Sequence, residues 1–237
     1  MAELILDNVK YRYRGAKIDT LKGANATFKA GTLNAILGHS GAGKSTLLYL
    51  ISGLDSPSDG QILLDGESLK KSMLDKYRRN TVATISQSYL LFETRTALEN
   101  VLYPMELTKL PKDEAVKKAK EYLLMVGIAE ELHNRLPKML SGGEQQRVAI
   151  ARCLAANSEI IAADEPTGNL DEETANSVMD LLLELAHEHG KNIILVTHDP
   201  GLAVRADTRY RLEKGVLRED DKLLERFRAL AEKEFNK

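Results

Sequence analysis

The stretch GHSGAGKST, Gly38–Thr46, decides how the chain is read. It fits the phosphate-loop pattern G-x-x-x-x-G-K-[ST], with Gly38, Gly43, Lys44 and Ser45 at the fixed positions. Leu33–Leu37 before it has the composition of a short buried strand, and Ser45–Ile51 after it that of a helix. That context separates a working loop from a glycine-rich turn carrying a surface lysine and serine. Glycines at 38, 41 and 43 let the backbone curl around a polyphosphate and aim N–H groups inward, while the helix start adds a fixed positive partial charge. Lys44 is expected at the terminal phosphates, and Ser45 offers an oxygen to Mg²⁺.

Working outward, the 237 residues are 43% hydrophobic and 29% charged, enough for one sizeable core with a subdomain. A net charge of −2 leaves no polyanion footprint, so nucleic acid is not expected as a partner. The single cysteine, Cys153, cannot form an internal disulfide and reads as a core filler. Ala30–Gly43 and Asn80–Phe92, the longest stretches without charge, are too short to span a bilayer. Met1-Ala2-Glu3 does not open like a secretory signal, so a cytoplasmic location is expected, with any membrane role acting through a partner.

Leu4–Leu6 and Val9–Tyr13 read as strands, Arg14–Lys17 as a turn and Thr27–Gly31 as a hairpin bend, together an early antiparallel sheet. Gln61–Leu64 and Val82–Ile85 are further strands. From Thr96 to Ala156 the pattern turns helical: Ala115, Ala119, Tyr122, Leu123 and Val126 share a face, and Pro104, Pro111 and Pro137 should end or kink helices. Ile160–Ala163 and Asn192–Thr197 are buried strands flanking a helix striped by Val178, Leu181, Leu182 and Leu185. Arg209–Leu212 with Gly215–Leu217 suggests a hairpin, and Leu223, Phe227, Leu230 and Ala231 mark a final helix. His187 and His189 fall at a charged helix end and read as solvated. The expectation is an α/β core and β subdomain over about 1–87 and 158–219, a helical subdomain over about 88–157, and a C-terminal helix over about 220–235.

A phosphate loop needs a carboxylate near Mg²⁺ at a neighbouring strand end, and Asp164 follows Ile160–Ala163 there. Glu165 beside it is placed to orient or deprotonate a water aimed at a γ-phosphate. His198, ending the strand Ile193–Thr197, sits where ligands of open α/β sheets collect and has a ring nitrogen for a γ-phosphate oxygen. Gln87 offers an amide to the metal or the water. Leu140-Ser141-Gly142-Gly143-Glu144-Gln145 then opens a second helix with anion-binding character. One chain with one nucleotide has no obvious use for it, so the simple geometric solution is that it caps a nucleotide held by another copy.

Taken in order, GHSGAGKST, Gln87, LSGGEQQR, IIAADEP, Gly168-Asn169-Leu170-Asp171 and His198 make the chain resemble the ATP-binding subunits of ABC transporters from about Leu4 to Leu217. The resemblance implies a P-loop NTPase core and a head-to-tail homodimer with two ATP molecules between the phosphate loop of one subunit and LSGGE of the other. It implies Gly38, Ser40, Gly41, Ala42, Gly43, Lys44, Ser45 and Thr46 around the phosphates, with Ser45, Gln87 and Asp164 serving Mg²⁺. Glu165 would be the catalytic base, with Lys44, Gln87 and His198 at the γ-phosphate, and Ser141, Gly142 and Gly143 acting in trans. Asp171 would link the sites across the interface. Tyr13 would stack on adenine, with Tyr11 as the alternative because strand alternation puts both on one face. There are two departures from the usual pattern: Glu144 stands where Gln is commoner, and Ala162-Ala163 are less bulky than usual.

ADEPTGNLD, with Leu21-Lys22-Gly23, looks most like the group containing macrolide exporters, lipoprotein-releasing complexes, antimicrobial-peptide resistance transporters and the cell-division ATPase. The function implied is a Mg²⁺-dependent ATPase driving separate transmembrane permease subunits, peripheral on the inner face of the plasma membrane. The alternative is an ATP-gated regulator of a membrane partner that transports nothing. Tyr89–Phe92 is an apolar loop that either receives a helix of such a partner or packs into the helical subdomain.

Overall fold

Period-two alternation divides the buried strands between two apolar clusters, and the site follows from how those strands line up. The computed structural model describes residues 2–107 and 110–227. Its first half runs β1 (Leu4–Tyr11), β2 (Leu21–Phe28), β3 (Leu33–Leu37), α1 (Lys44–Ile51), β4 (Asp59–Leu64), β5 (Glu67–Ser68), α2 (Leu74–Asn80) and β6 (Val82–Ser86). The second runs α3 (Ala97–Glu106), α4 (Lys112–Met125), α5 (Gly142–Ala155), β7 (Ile160–Asp164), α6 (Glu172–His187), β8 (Asn192–Thr197), α7 (Pro200–Ala203), β9 (Thr208–Glu213) and β10 (Val216–Glu219). One sheet has the order β10-β9-β3-β8-β7-β6, parallel except for β10; the other, β2-β1-β4-β5, is antiparallel.

In the parallel strands Ile36, Ile160, Ala162, Ile194 and Val196 join one cluster with α1 and the antiparallel sheet. The residues alternating with them, Leu33, Ala35, Leu37, Ile161, Ala163, Ile193 and Leu195, point the other way and join a cluster with α3, α4, α5 and α6. Every residue of β3 and β8 is buried, which explains why these strands read as continuous apolar runs. The α3–α5 helices fall in sequence between β6 and β7, strands that pair directly, so the helical stretch is an excursion from the sheet that shares its core.

Several expectations need correction. Leu4–Leu6 and Val9–Tyr13 are one strand that ends at Tyr11, with register shifts around Val9 and Asn8 at φ 50°. Tyr13 therefore lies past the ladder, and strand alternation does not relate it to Tyr11. Thr27–Gly31 is no hairpin bend: β2 pairs with β1, and the turn at Ala30–Gly31 carries the chain into β3 of the other sheet. Pro104 sits inside α3, which stops two residues later at Glu106. His187 is not simply solvated; its Nε2 lies 3.0 Å from Asp207 Oδ2, an oxygen that also accepts from the Leu33 N–H, so α6 is tied to the start of β3. Leu223 is buried, but the part of the expected C-terminal helix from Arg228 onward lies outside the described residues.

Candidate active site

In the sheet order β3-β8-β7 the C-terminal ends of three parallel strands are adjacent, and they deliver Gly38, His198 and Glu165 to one edge. After β3 the chain turns through Gly38–Gly43 into α1. A Cβ on Gly38 would stand 2.7 Å from the Leu212 carbonyl oxygen, and Gly43, at φ 106°, forms the N-cap of α1. A side chain at either position would be strained or excluded. No side chain caps α1, so its first-turn N–H groups stay available to an anion.

Lys44 is buried, and its ammonium donates to the Gly38 carbonyl at 2.8 Å and the His39 carbonyl at 3.2 Å. It also stands 3.4 Å from Glu165 Oε1. The other oxygen of Glu165 meets His198 Nδ1 at 2.9 Å. A carboxylate only accepts, so Nδ1 carries the proton and Nε2 is left for another partner. Glu165 itself has φ 45°, a left-handed conformation uncommon outside glycine, and its N–H donates to the Val196 carbonyl. Lys44, Glu165 and His198 thus form a continuous polar chain across the strand ends.

Ser45 hydrogen-bonds Asp164, the last residue of β7. Burial pushes the Asp164 carboxyl above its ordinary value, the neighbouring Glu165 adds to this, and Lys44 and the Ser45 bond oppose it. A carboxylate held partly out of water beside another, with a hydroxyl in contact, is a donor set suited to a hard divalent cation. Among the described residues no group of three or more His, Cys, Asp or Glu side chains is arranged to hold a metal. Such an ion would need phosphate and water oxygens to complete its shell.

The remaining expected residues lie outside this polar chain. Gln87 follows β6, and its Nε2 lies 3.4 Å from Asn169 Oδ1 while Asn169 Nδ2 donates to the Gln87 carbonyl at 3.1 Å. Its amide is therefore engaged with the Gly168–Leu170 loop. Tyr13 is 45% exposed and shares a 2.9 Å hydrogen bond with Thr46 Oγ1, whereas Tyr11 is buried with its hydroxyl committed to Asp55. Ser40 and Gly41 are exposed in the loop, and Ala42 donates its N–H to the His39 carbonyl.

Ser141, Gly142 and Gly143 open α5. Ser141 Oγ accepts from the Glu144 N–H and Glu144 Oε2 accepts from the Ser141 N–H at 2.7 Å, a reciprocal cap. The departure from the usual pattern at Glu144 thus retains this function. A Cβ on Gly142 would stand 2.9 Å from the Tyr89 hydroxyl, and one on Gly143 2.5 Å from Thr174 Cγ2. Among the described hydrogen bonds and ion pairs, none joins Ser141–Gly143 to the phosphate loop. Asp171 caps α6 through the Thr174 N–H at 3.0 Å.

Sequence reasoning passed over Asn169 and Thr46 as partners of Gln87 and Tyr13. Both sit within quoted motifs, but nothing in a linear pattern says whom they face. In the Tyr89–Phe92 loop, Leu90 is 65% and Phe92 39% exposed while Leu91 packs on the core. Tyr89 and Leu90 both have positive φ, and the Arg152 guanidinium donates to their carbonyls at 3.1 and 2.7 Å.

Comparison with known proteins matches residues 21–168 to the ABC transporter family. The lipoprotein-releasing system ATP-binding protein LolD of Hydrogenovibrio crunogenus is 40% identical over 222 residues, covering 91% of this chain and 96% of that protein. The solved dimeric structure of MJ0796, described as a bacterial ABC transporter cassette, superposes with a TM-score of 0.82 at 39% identity, over 92% of this chain and 97% of that one. A second dimeric MJ0796 structure, a post-hydrolysis state bound to ADP and Pi, gives a TM-score of 0.82 at 38% identity over the same shares. Among the described residues no helix is long and apolar enough to cross a membrane. The chain belongs to the ABC transporter family, as one of its ATP-binding, ATP-hydrolysing subunits.

Proposed function

We propose that two copies of the chain close head-to-tail on two ATP molecules, and that this closure drives a separate transmembrane permease at the inner face of the plasma membrane. The observation that carries the reading is the Lys44–Glu165–His198 chain at the mouth of the phosphate loop, complete except for a cap on the far side of the triphosphate. The glycine-flanked start of α5 supplies such a cap from a second copy, because no described hydrogen bond or ion pair brings it to the loop of its own chain. The MJ0796 relatives are dimeric cassettes, which supports the same arrangement.

In this reading Lys44 and the loop amides hold the phosphates, and Tyr13 lies against the adenine. Ser45, Asp164 and Gln87 would hold Mg²⁺, and the ion when bound would neutralise negative charge on the phosphates. Glu165 accepts the proton of the attacking water, while His198, with Nδ1 donating to Glu165, contacts a γ-phosphate oxygen as the imidazolium, whose Nε2–H is then a second donor. Asp171 carries the link between the two sites. The exposed Leu90 and Phe92 form the seat for the permease. The relatives named for lipoprotein release make a permease that handles lipid-anchored proteins the first partner to test.

Mixing a Lys44→Ala chain with a Ser141→Arg chain tests the shared site. Each variant alone should be inactive, and the mixture should recover partial ATPase activity, because each heterodimer has one intact composite site. No recovery, or full recovery, refutes the head-to-tail reading.

A further inference from the structure

We infer that Tyr11 and Asp55 are positioning residues for the nucleotide base: they set the ring of Tyr13 against the phosphate-loop helix. The inference rests on the proposed role of Tyr13 as the adenine platform. Because Tyr13 lies beyond the last residue of β1, the sheet ladder does not hold it. This end of β1 pairs with β2 through Tyr11 and Leu21 on one side, and the segment that follows α1 holds it on the other. The Ser58 N–H donates to the Lys10 carbonyl at 2.8 Å, the Arg12 N–H donates to Ser58 Oγ at 3.0 Å, and Lys10 Nζ pairs with Asp59 Oδ2 at 2.8 Å.

Between these ties the Tyr11 hydroxyl donates to Asp55 Oδ2 at 2.5 Å. That bond, with burial, pushes the Tyr11 phenol up to about 12, so the hydroxyl stays a neutral donor across the physiological range. Pinned in this way, the Tyr11 ring meets the Tyr13 ring edge to face, with centroids 5.0 Å apart and planes at 90°. An edge-to-face partner fixes the plane of the ring it touches. On its other side the Tyr13 hydroxyl bonds Thr46 Oγ1, one turn into the helix that holds the phosphates. Tyr11, Tyr13, Thr46, Tyr49, Leu54 and Asp55 line one cavity of about 240 Å³, so the platform and its supports form a single unit. Burial separates the roles: Tyr13 is available to a ligand, and Tyr11 acts only through it.

The test titrates the full chain with ADP and, as a ligand lacking the base, inorganic pyrophosphate. Tyr11→Phe keeps the ring and frees it from Asp55, and Asp55→Asn weakens the same tie from the other side. Each should raise the Kd for ADP about three- to tenfold, the scale of one hydrogen bond and part of an aromatic contact, with pyrophosphate affinity moved by less than about twofold. In a Tyr13→Ala background Tyr11→Phe should have no further effect. The inference is overturned if both variants leave ADP affinity unchanged, if they weaken pyrophosphate equally, or if Tyr11→Phe keeps its full effect without Tyr13. A Tyr13→Ala chain that binds ADP as well as the parent refutes the platform reading beneath it and is recognisable as that separate failure.

Discussion

Replacing Glu165 by Gln separates binding from chemistry. In the structure Glu165 Oε1 stands 3.4 Å from the Lys44 ammonium, and the carboxylate is 20% exposed. At that separation and an effective dielectric of about 20, the bare attraction is about 5 kcal/mol. Partial exposure screens it, so about 1–2 kcal/mol is a realistic share. An incoming triphosphate has to draw Lys44 away from this carboxylate, and Gln lifts that competition while keeping an oxygen for His198. ATP affinity should therefore rise about 5- to 30-fold, the equivalent of 1–2 kcal/mol. Turnover should fall about 10²- to 10⁴-fold, because the amide cannot take the proton of the attacking water. The ATP-bound dimer should also accumulate; calorimetric titration with ATP, phosphate release at saturating Mg²⁺-ATP, and size-exclusion chromatography of the ATP-loaded variant measure the three consequences. Turnover close to the parent's would falsify the role given to Glu165. ATP affinity weakened about tenfold or more would show that the carboxylate helps to hold the nucleotide and does not compete with it.

Asp164→Asn should raise the Tm of the nucleotide-free protein near neutral pH. The folded carboxyl is shifted upward, so the fold favours its protonated form. Stability is fully present below the ordinary carboxyl value and lost as pH rises through the folded one. The advantage of Asn should grow over that acid window and then level off, and Mg²⁺ should no longer strengthen ATP binding; a variant less stable than the parent at neutral pH refutes the assignment. Asn100, fully buried, donates to the Phe92, Arg95 and Thr96 carbonyls and accepts from the Phe92 N–H. Asn100→Ala leaves these groups short of partners and should cost about 2–4 kcal/mol, lowering Tm by about 5–15 °C; a thermal melt with a shift under about 2 °C contradicts this.

The strands around the phosphate loop were legible in the sequence because both faces of β3, β7 and β8 are buried, leaving apolar runs that end in glycine, an acid and histidine respectively. The helices were legible for the same reason at another period: Val178, Leu181, Leu182 and Leu185 all face the core of α6. The bend at Thr27–Gly31 misled, since a turn signal marks where a chain reverses and not which sheet receives it.

Spacing and residue type alone named the phosphate loop, the acidic pair Asp164-Glu165, His198 and the serine-glycine helix start, because each is a local chemical requirement written in a few consecutive residues. Only the tertiary structure decided their partners: Lys44 with Glu165, Glu165 with His198, Gln87 with Asn169, and Tyr13 with both Thr46 and Tyr11. Apart from the two tyrosines, which meet beyond a strand end, these partners stand at least 33 positions apart in the chain. Hydrogen bonds and ring contacts reach only a few ångströms, so which side chains meet is settled by the stacking of strands and helices.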